Sequence, residues 1–226
     1  MVDMEEKELR TSPKQRFFII LIAIFMVGSI VASYAAIVIS GSQGSSSTSE
    51  VDNEKLAEYI EKYSELQSQL TEVSQKDFDT FIKYKSEVTG YNETTANAGG
   101  VETKDLMEGS GREIGEDDTD YLAYYVGWCA DETIFDSSYD DSSNPTGFVK
   151  ILDVSSGMIE GWTLGVTGMR IGGIRAITIP GELAYGDARE ICGGKNKPMK
   201  FMIMTKEKTG ELAEISSKMN EILMGY

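Results

Sequence analysis

The spacing of hydrophobic and polar residues changes several times along this chain, and each change marks a different kind of element. Phe17 to Ile39 is 23 residues long and carries no charge. As a helix it would reach about 35 Å, enough to cross the roughly 30 Å hydrocarbon layer of a bilayer. Residues 17–40 are therefore expected to form a transmembrane anchor. A cleaved signal peptide is the competing reading, but its apolar region would be shorter, and Val31-Ala32-Ser33 is a weak cleavage site. Lys7, Arg10, Lys14 and Arg16 precede the span, and no basic residue follows it until Lys55. The positive-inside rule then puts residues 1–16 in the cytoplasm and everything after Ser40 outside, as a single-pass protein of the cell membrane.

Residues 41–50, with the run GSQGSSSTS, cannot bury apolar surface and read as a flexible linker. Beyond it Leu56, Tyr59, Tyr63, Leu66, Leu70 and Val73 alternate at steps of three and four, which is one stripe of an α-helix, and Asp77 interrupts the series. Such a stripe supports a coiled-coil homodimer through residues 51–88 or a spacer that packs on its own domain, and the two readings stand level. Asn92 to Gly100, rich in turn formers, ends the helical region, so residues 51–99 form a helical spacer with a boundary near 100.

From 100 to 208 the period is mainly that of strands. Tyr121 to Val126 is apolar on both faces; Ala176 to Ile179 and Met199 to Ile203 alternate. Between them Ile159, Trp162, Val166 and Met169 recur at helical spacing, although Gly161, Gly165 and Gly168 weaken that helix and leave packing to hold it. Several strands around one short helix make an α+β domain. Residues 209–226 carry Leu212, Ile215, Met219 and Ile222 at helical spacing and are expected to form a C-terminal helix.

Charge and composition then remove function classes. The formal charge is −16, from 37 acidic and 21 basic residues. The first sixteen residues balance, so the excess lies beyond the apolar segment, and a phosphate-bound partner such as nucleic acid is excluded. No histidine is present, which removes the commonest general base and zinc ligand. No metal or nucleotide motif is visible, and no cofactor is expected. Cys129 and Cys192 are either two packed thiols or one disulfide, the latter if the domain lies in an oxidising compartment.

Three blocks carry a family resemblance. Tyr125-Val126-Gly127-Trp128 with Ile134-Phe135-Asp136-Ser137-Ser138 resembles the Y-x-G and F-D-S-S of the FKBP-type prolyl isomerases. Met158-Ile159-Glu160-Gly161-Trp162 is similar to V-I-x-G-W, and Met169 to Gly186 follows M-x-x-G-G-x-R-x-x-x-I-P-x-x-L-A-Y-G. The resemblance implies an FKBP-like curved antiparallel sheet wrapped around the short helix, with an aromatic pocket between them. It implies catalytic positions at Tyr125, Phe135, Asp136, Ile159, Trp162, Tyr185 and Phe201, and substrate contacts at Met158 and Phe148. Trp162 would lie under the proline ring, with Tyr125, Phe135 and Phe201 as walls. The Tyr185 hydroxyl and the Ile159 N–H would donate to substrate carbonyls, and Asp136 would sit at the rim. The segment 187–197 lacks proline and the paired isoleucines of many family members, and Met158 stands where valine is usual.

The reading that follows is a peptidyl-prolyl cis/trans isomerase acting on proline-containing peptides and unfolded proteins outside the membrane. The alternative is a non-catalytic peptide-binding or chaperone module using the same pocket. In a third reading the helix of 51–88 assembles the chain and the domain is cargo.

Overall fold

A computed structural model describes residues 53–88, 90–140 and 145–224. The expected anchor 17–40, the segment 1–16 and the linker 41–50 lie outside the described residues. Among the described residues no helix is long and apolar enough to cross a membrane.

Strands β1 (Glu102–Met107), β2 (Tyr121–Trp128), β3 (Ile134–Ser137), β4 (Leu152–Asp153), β5 (Ile174–Ile179) and β6 (Met199–Glu207) form one sheet. Its order is β1-β5-β6-β2-β3, with β4 also on β2, and every pairing is antiparallel. The long central pair runs from Tyr121 opposite Glu207 to Trp128 opposite Lys200. Strand β1 escaped the sequence reading because its first four residues, Glu-Thr-Lys-Asp, are all exposed, as suits an edge.

The helices are α1 (Asn53–Tyr84), α2 (Glu93–Ala98), α3 (Glu160–Val166) and α4 (Gly210–Met224). Lys62–Met219 make one compact unit, and the described helical stretches 53–61 and 220–224 fall outside it. The larger unit thus begins well before residue 100, and most of the expected spacer is part of it. Asp77 does not end the stripe: α1 continues through it, Asp77 pairs with Lys206 at 2.9 Å, and Phe78 and Phe81 are buried one turn further on. Of the stripe, Leu66 and Leu70 are buried within a single chain, whereas Tyr59, Tyr63 and Val73 are only partly buried.

Strand β2 is buried along its whole length, and its alternation sorts two cores. Leu122 and Tyr124 belong to the face where Tyr124 stacks on Phe148, with ring centroids 3.8 Å apart, and where Phe78 and Phe81 of α1 meet Phe148 edge-on at 5.2 and 5.4 Å. Tyr121, Ala123 and Tyr125 belong to the other, where they join Trp162, Val166, Ile177, Ile179 and Phe201.

On that second face α3 lies close to β5 because its glycines permit it. A Cβ on Gly161 would stand 2.1 Å from the Ile179 Cγ2, and one on Gly165 would stand 2.9 Å from the Ile177 Cγ2. The residues that weaken helix propensity therefore bring Trp162 down onto the sheet. Buried Arg175 closes the far end, its Nη1 donating to Gly165 O and Thr167 O at 3.0 and 3.1 Å while its Nε donates to Asp105 at 2.6 Å. A cation on the last carbonyls of a helix satisfies them and opposes the helix dipole.

Candidate active site

The second face of β2 carries the chemistry-bearing residues, and they divide into a buried floor and a half-exposed rim. Trp162, Tyr125 and Phe201 are the floor. Trp162 meets Tyr125 edge-on at 5.8 Å and Phe201 at 5.5 Å, the arrangement in which ring edges face ring faces. The indole Nε1 of Trp162 donates to the Tyr121 hydroxyl at 3.2 Å, so the indole N–H is satisfied within the core. Phe135, Met158, Ile159 and Tyr185 are partly buried and pack against this floor. Phe135 stands edge-on to Phe201 at 5.5 Å.

Gly127 makes room for that contact. A Cβ there would fall 2.6 Å from Phe135 Cζ and 2.9 Å from Phe201 Cε1, both ring atoms held by their neighbours. The glycine of the Y-x-G block is thus a steric requirement of the rim. Ile159 caps the start of α3, and its carbonyl accepts from the N–H groups of Trp162 and Thr163. Its extended backbone sets the angle at which Trp162 enters the floor.

Asp136 faces Tyr125 across the strand pair. The Tyr125 hydroxyl donates to its Oδ2, and Lys150 Nζ donates to its Oδ1 and forms an ion pair. The same Lys150 ammonium lies 5.4 Å from the centre of the Tyr125 ring. Burial, and then the Asp136 carboxylate, push the Tyr125 phenol well above its ordinary value. Tyr185 is pushed up to about 12 by burial first and Asp136 second, with Arg189, whose guanidinium lies 5.2 Å from the ring centre, acting the other way. Both phenols are therefore neutral hydroxyls at any physiological pH.

Eight of the nine residues expected at the site come together here: Tyr125, Phe135, Asp136, Met158, Ile159, Trp162, Tyr185 and Phe201. Phe148 does not. It is fully buried on the other face of β2, stacked on Tyr124 and edge-on to Phe78 and Phe81 of α1. Sequence spacing had no means of choosing the face. Three contributors went unnoticed: Tyr121, Lys150 and Ile191, the last packed against the same cluster. Tyr121 had a signal, since it lies four positions before Tyr125 and strand alternation puts the two on one face.

Comparison with known proteins identifies the family of the chain. The family model described as FKBP-type peptidyl-prolyl cis-trans isomerase matches residues 112–206. The chain is similar to the FK506-binding protein of Neisseria meningitidis serogroup B, with 40% identity over 88 residues covering 39% of this chain and 76% of that one. It is similar as well to the FK506-binding protein of Streptomyces anulatus, 36% identical over 102 residues, 44% of this chain and 77% of the other. Among solved structures, a peptidyl-prolyl cis-trans isomerase from Pseudomonas syringae pv. tomato matches with a TM-score of 0.37 and 25% identity, over 60% of this chain and 92% of that one. The chain belongs to the FKBP-type peptidyl-prolyl cis-trans isomerases, and the sequence matches to the family and its curated members carry that assignment. It is an enzyme of that family, and its substrates are proline-containing peptides.

Proposed function

We propose that the isomerase works through the Tyr125, Trp162 and Phe201 floor, by favouring the twisted X-Pro imide over its planar forms. Resonance makes rotation about an amide C–N bond cost about 18 to 20 kcal/mol, and proline narrows the cis/trans gap without removing that barrier. A twisted imide has lost much of its charge separation. It is therefore less penalised than a planar amide by a dry aromatic surface, so burial there is differential stabilisation of the transition state. Neither a base nor a nucleophile is required. An acceleration of about 10⁴ to 10⁶ calls for only about 5 to 8 kcal/mol of such stabilisation. Tyr185, held neutral, serves as a hydrogen-bond donor to a substrate carbonyl, as does the Ile159 N–H, while Asp136 sets the Tyr125 ring. One observation carries this reading: a floor of three buried rings with no unpaired polar atom, edged by a rim that is only half covered.

The enzyme's place, in this reading, is the outer side of a membrane, tethered by residues 17–40 and assisting the folding of chains that emerge there. Two features support it. The uncharged stretch Phe17–Ile39 is long enough to span, and Cys129 is joined to Cys192, a bond that persists in oxidising compartments. Protease added to intact cells or spheroplasts tests the placement. Digestion of the domain, with a cytoplasmic control untouched, is the expected result; protection of the domain while an external control is cut would refute it.

The catalytic reading is tested with the full-length chain in detergent, by following exchange between the cis and trans forms of a proline tetrapeptide by NMR. Acceleration that falls on Phe135→Ala is expected. Binding of the peptide with no acceleration would leave a peptide-holding module in its place.

A further inference from the structure

The loop from Gly186 to Asn196 runs beside the aromatic cluster, and residues far from it in sequence hold it in position. At its base the Asn196 N–H donates to Gly186 O at 2.7 Å. At its tip Ile191 and Gly194 pair through N–H to carbonyl bonds of 3.0 and 3.4 Å in each direction. Between them Cys192 and Gly193 have φ of +59° and +76°, the double left-handed step that a two-residue hairpin turn of type I′ requires. Glycine takes such a position freely; cysteine does so only when something holds it there.

Cys192 is held by its disulfide to Cys129, which directly follows the end of β2, with Cα atoms 5.2 Å apart. The bond fixes the hairpin tip to the central strand. The residue before Cys192 is Ile191, and both pack against the cluster that contains Tyr125, Trp162 and Phe201.

The base is fixed independently by α2, the stretch read from sequence as a turn-forming end of the spacer. The Asn92 side chain caps it, accepting from Thr95 N–H at 3.0 Å. Asn97 on its last turn makes two bonds. Its Oδ1 accepts from the Gly181 N–H at 2.8 Å, and its Nδ2 donates to Asn196 O at 3.2 Å. Lys197 pairs with Glu93, and the Tyr91 hydroxyl meets Trp128 O and Pro198 O at 3.2 and 2.7 Å. Gly181 is the only residue that fits under Asn196, since a Cβ there would lie 2.2 Å from Asn196 O. Tyr91, Glu93 and Asn97 all precede the residues matched by the family model, 112–206.

We propose that Cys192, through Cys129, and Asn97, through Gly181 and Asn196, are positioning residues of the isomerase: together they hold the Gly186–Asn196 loop so that Ile191 walls the aromatic floor. The inference rests on the reading of that floor as the site of isomerisation. A dithiol reductant opens the tip by thiol–disulfide exchange: its thiolate attacks one sulfur of the Cys129–Cys192 bond, and its second thiol then displaces the remaining cysteine. The protein gains two thiols and the reductant becomes the disulfide. A loop that occupies the competent position only about a tenth of the time raises the apparent dissociation constant about tenfold, while bound complexes react as before. The effect therefore falls on KM rather than kcat.

The experiment uses the full-length chain in detergent and a proline tetrapeptide, measured oxidised, after reduction by a dithiol, and after reoxidation. Reduction should raise KM about tenfold and leave kcat within about twofold, and reoxidation should restore the first value. The double variant Cys129→Ser/Cys192→Ser should show the high KM at once and ignore the reductant. Asn97→Ala should raise KM about threefold, and Asn97→Asp, which keeps the acceptor for Gly181, should recover part of it. If reduction lowers the thermal midpoint and leaves KM unchanged, the disulfide only stabilises the fold and the proposal is overturned. If Phe135→Ala also leaves kcat/KM unchanged, the reading of the floor has failed as well; if Phe135→Ala lowers it, only the brace is refuted.

Discussion

The two faces of β2 are nearly equal in aromatic content and opposite in what they can do. On one, Tyr124 and Phe148 stack at 3.8 Å beneath Phe78 and Phe81 of α1, and every one of these rings is buried. On the other, Tyr125, Trp162 and Phe201 are buried too, but Phe135, Met158 and Tyr185 packed against them are only partly buried. Aromatic clustering alone therefore does not mark a site. In the proposed reading the site is the face whose polar atoms are satisfied and whose rim is only partly buried, while α1 covers the other face.

Substitutions on the two faces should separate stability from activity. Phe148→Ala leaves a cavity against Tyr124, Phe78 and Phe81, and should cost about 3 to 5 kcal/mol in denaturant unfolding. The kcat/KM of the fraction that stays folded should match the parent enzyme; a loss beyond about threefold would break the comparison, because the faces would then be coupled. Asp136→Ala removes the acceptor of the Tyr125 hydroxyl and the partner of Lys150 together. It should lower kcat/KM by an amount worth about 1 to 3 kcal/mol, read from peptide exchange kinetics, since buried donors left without a partner carry that penalty. Tyr185→Phe deletes one neutral donor and should cost about 0.5 to 1.5 kcal/mol in the same assay.

The smallest expected effect is that of pH. Tyr185 titrates at about 12 in the folded chain, above its ordinary 10.0, so kcat/KM should be level from about pH 6 to 9. The phenol's contribution to stability is whole below about pH 10, where folded and unfolded chains both keep the proton. It is lost as pH rises toward 12, where only the folded chain does. An inflection in kcat/KM near neutrality would mean that some other group takes part.

What the sequence disclosed, and what it did not, follows the same division. Period-two and period-three-to-four patterns located β2, β5, β6, α1, α3 and α4, because burial on a repeating face is written in the residues themselves. The motif blocks carried Tyr125, Trp162 and Phe201 to one face. Phe148 was misplaced, since a buried ring looks alike in sequence on either side of a sheet. The Leu66 and Leu70 stripe was legible as a stripe, but periodicity alone does not say whether such a stripe meets a second chain or its own domain. Strand β1 and helix α2 were hidden by composition: one is polar and exposed at a sheet edge, the other is made of residues that usually form turns. Cys129 and Cys192 lie 63 residues apart, and only the fold brings them together.

The central claim is that the half-covered face performs the isomerisation, and Phe135 tests it most directly because it lies on the rim and its loss does not empty the core. In the full-length chain, Phe135→Ala should keep the native spectrum and unfolding midpoint close to those of the parent. Its kcat/KM toward a proline tetrapeptide should fall about tenfold or more, the scale of about 1.4 kcal/mol of lost transition-state stabilisation. A folded Phe135→Ala protein whose kcat/KM stays within about twofold of the parent would contradict the account.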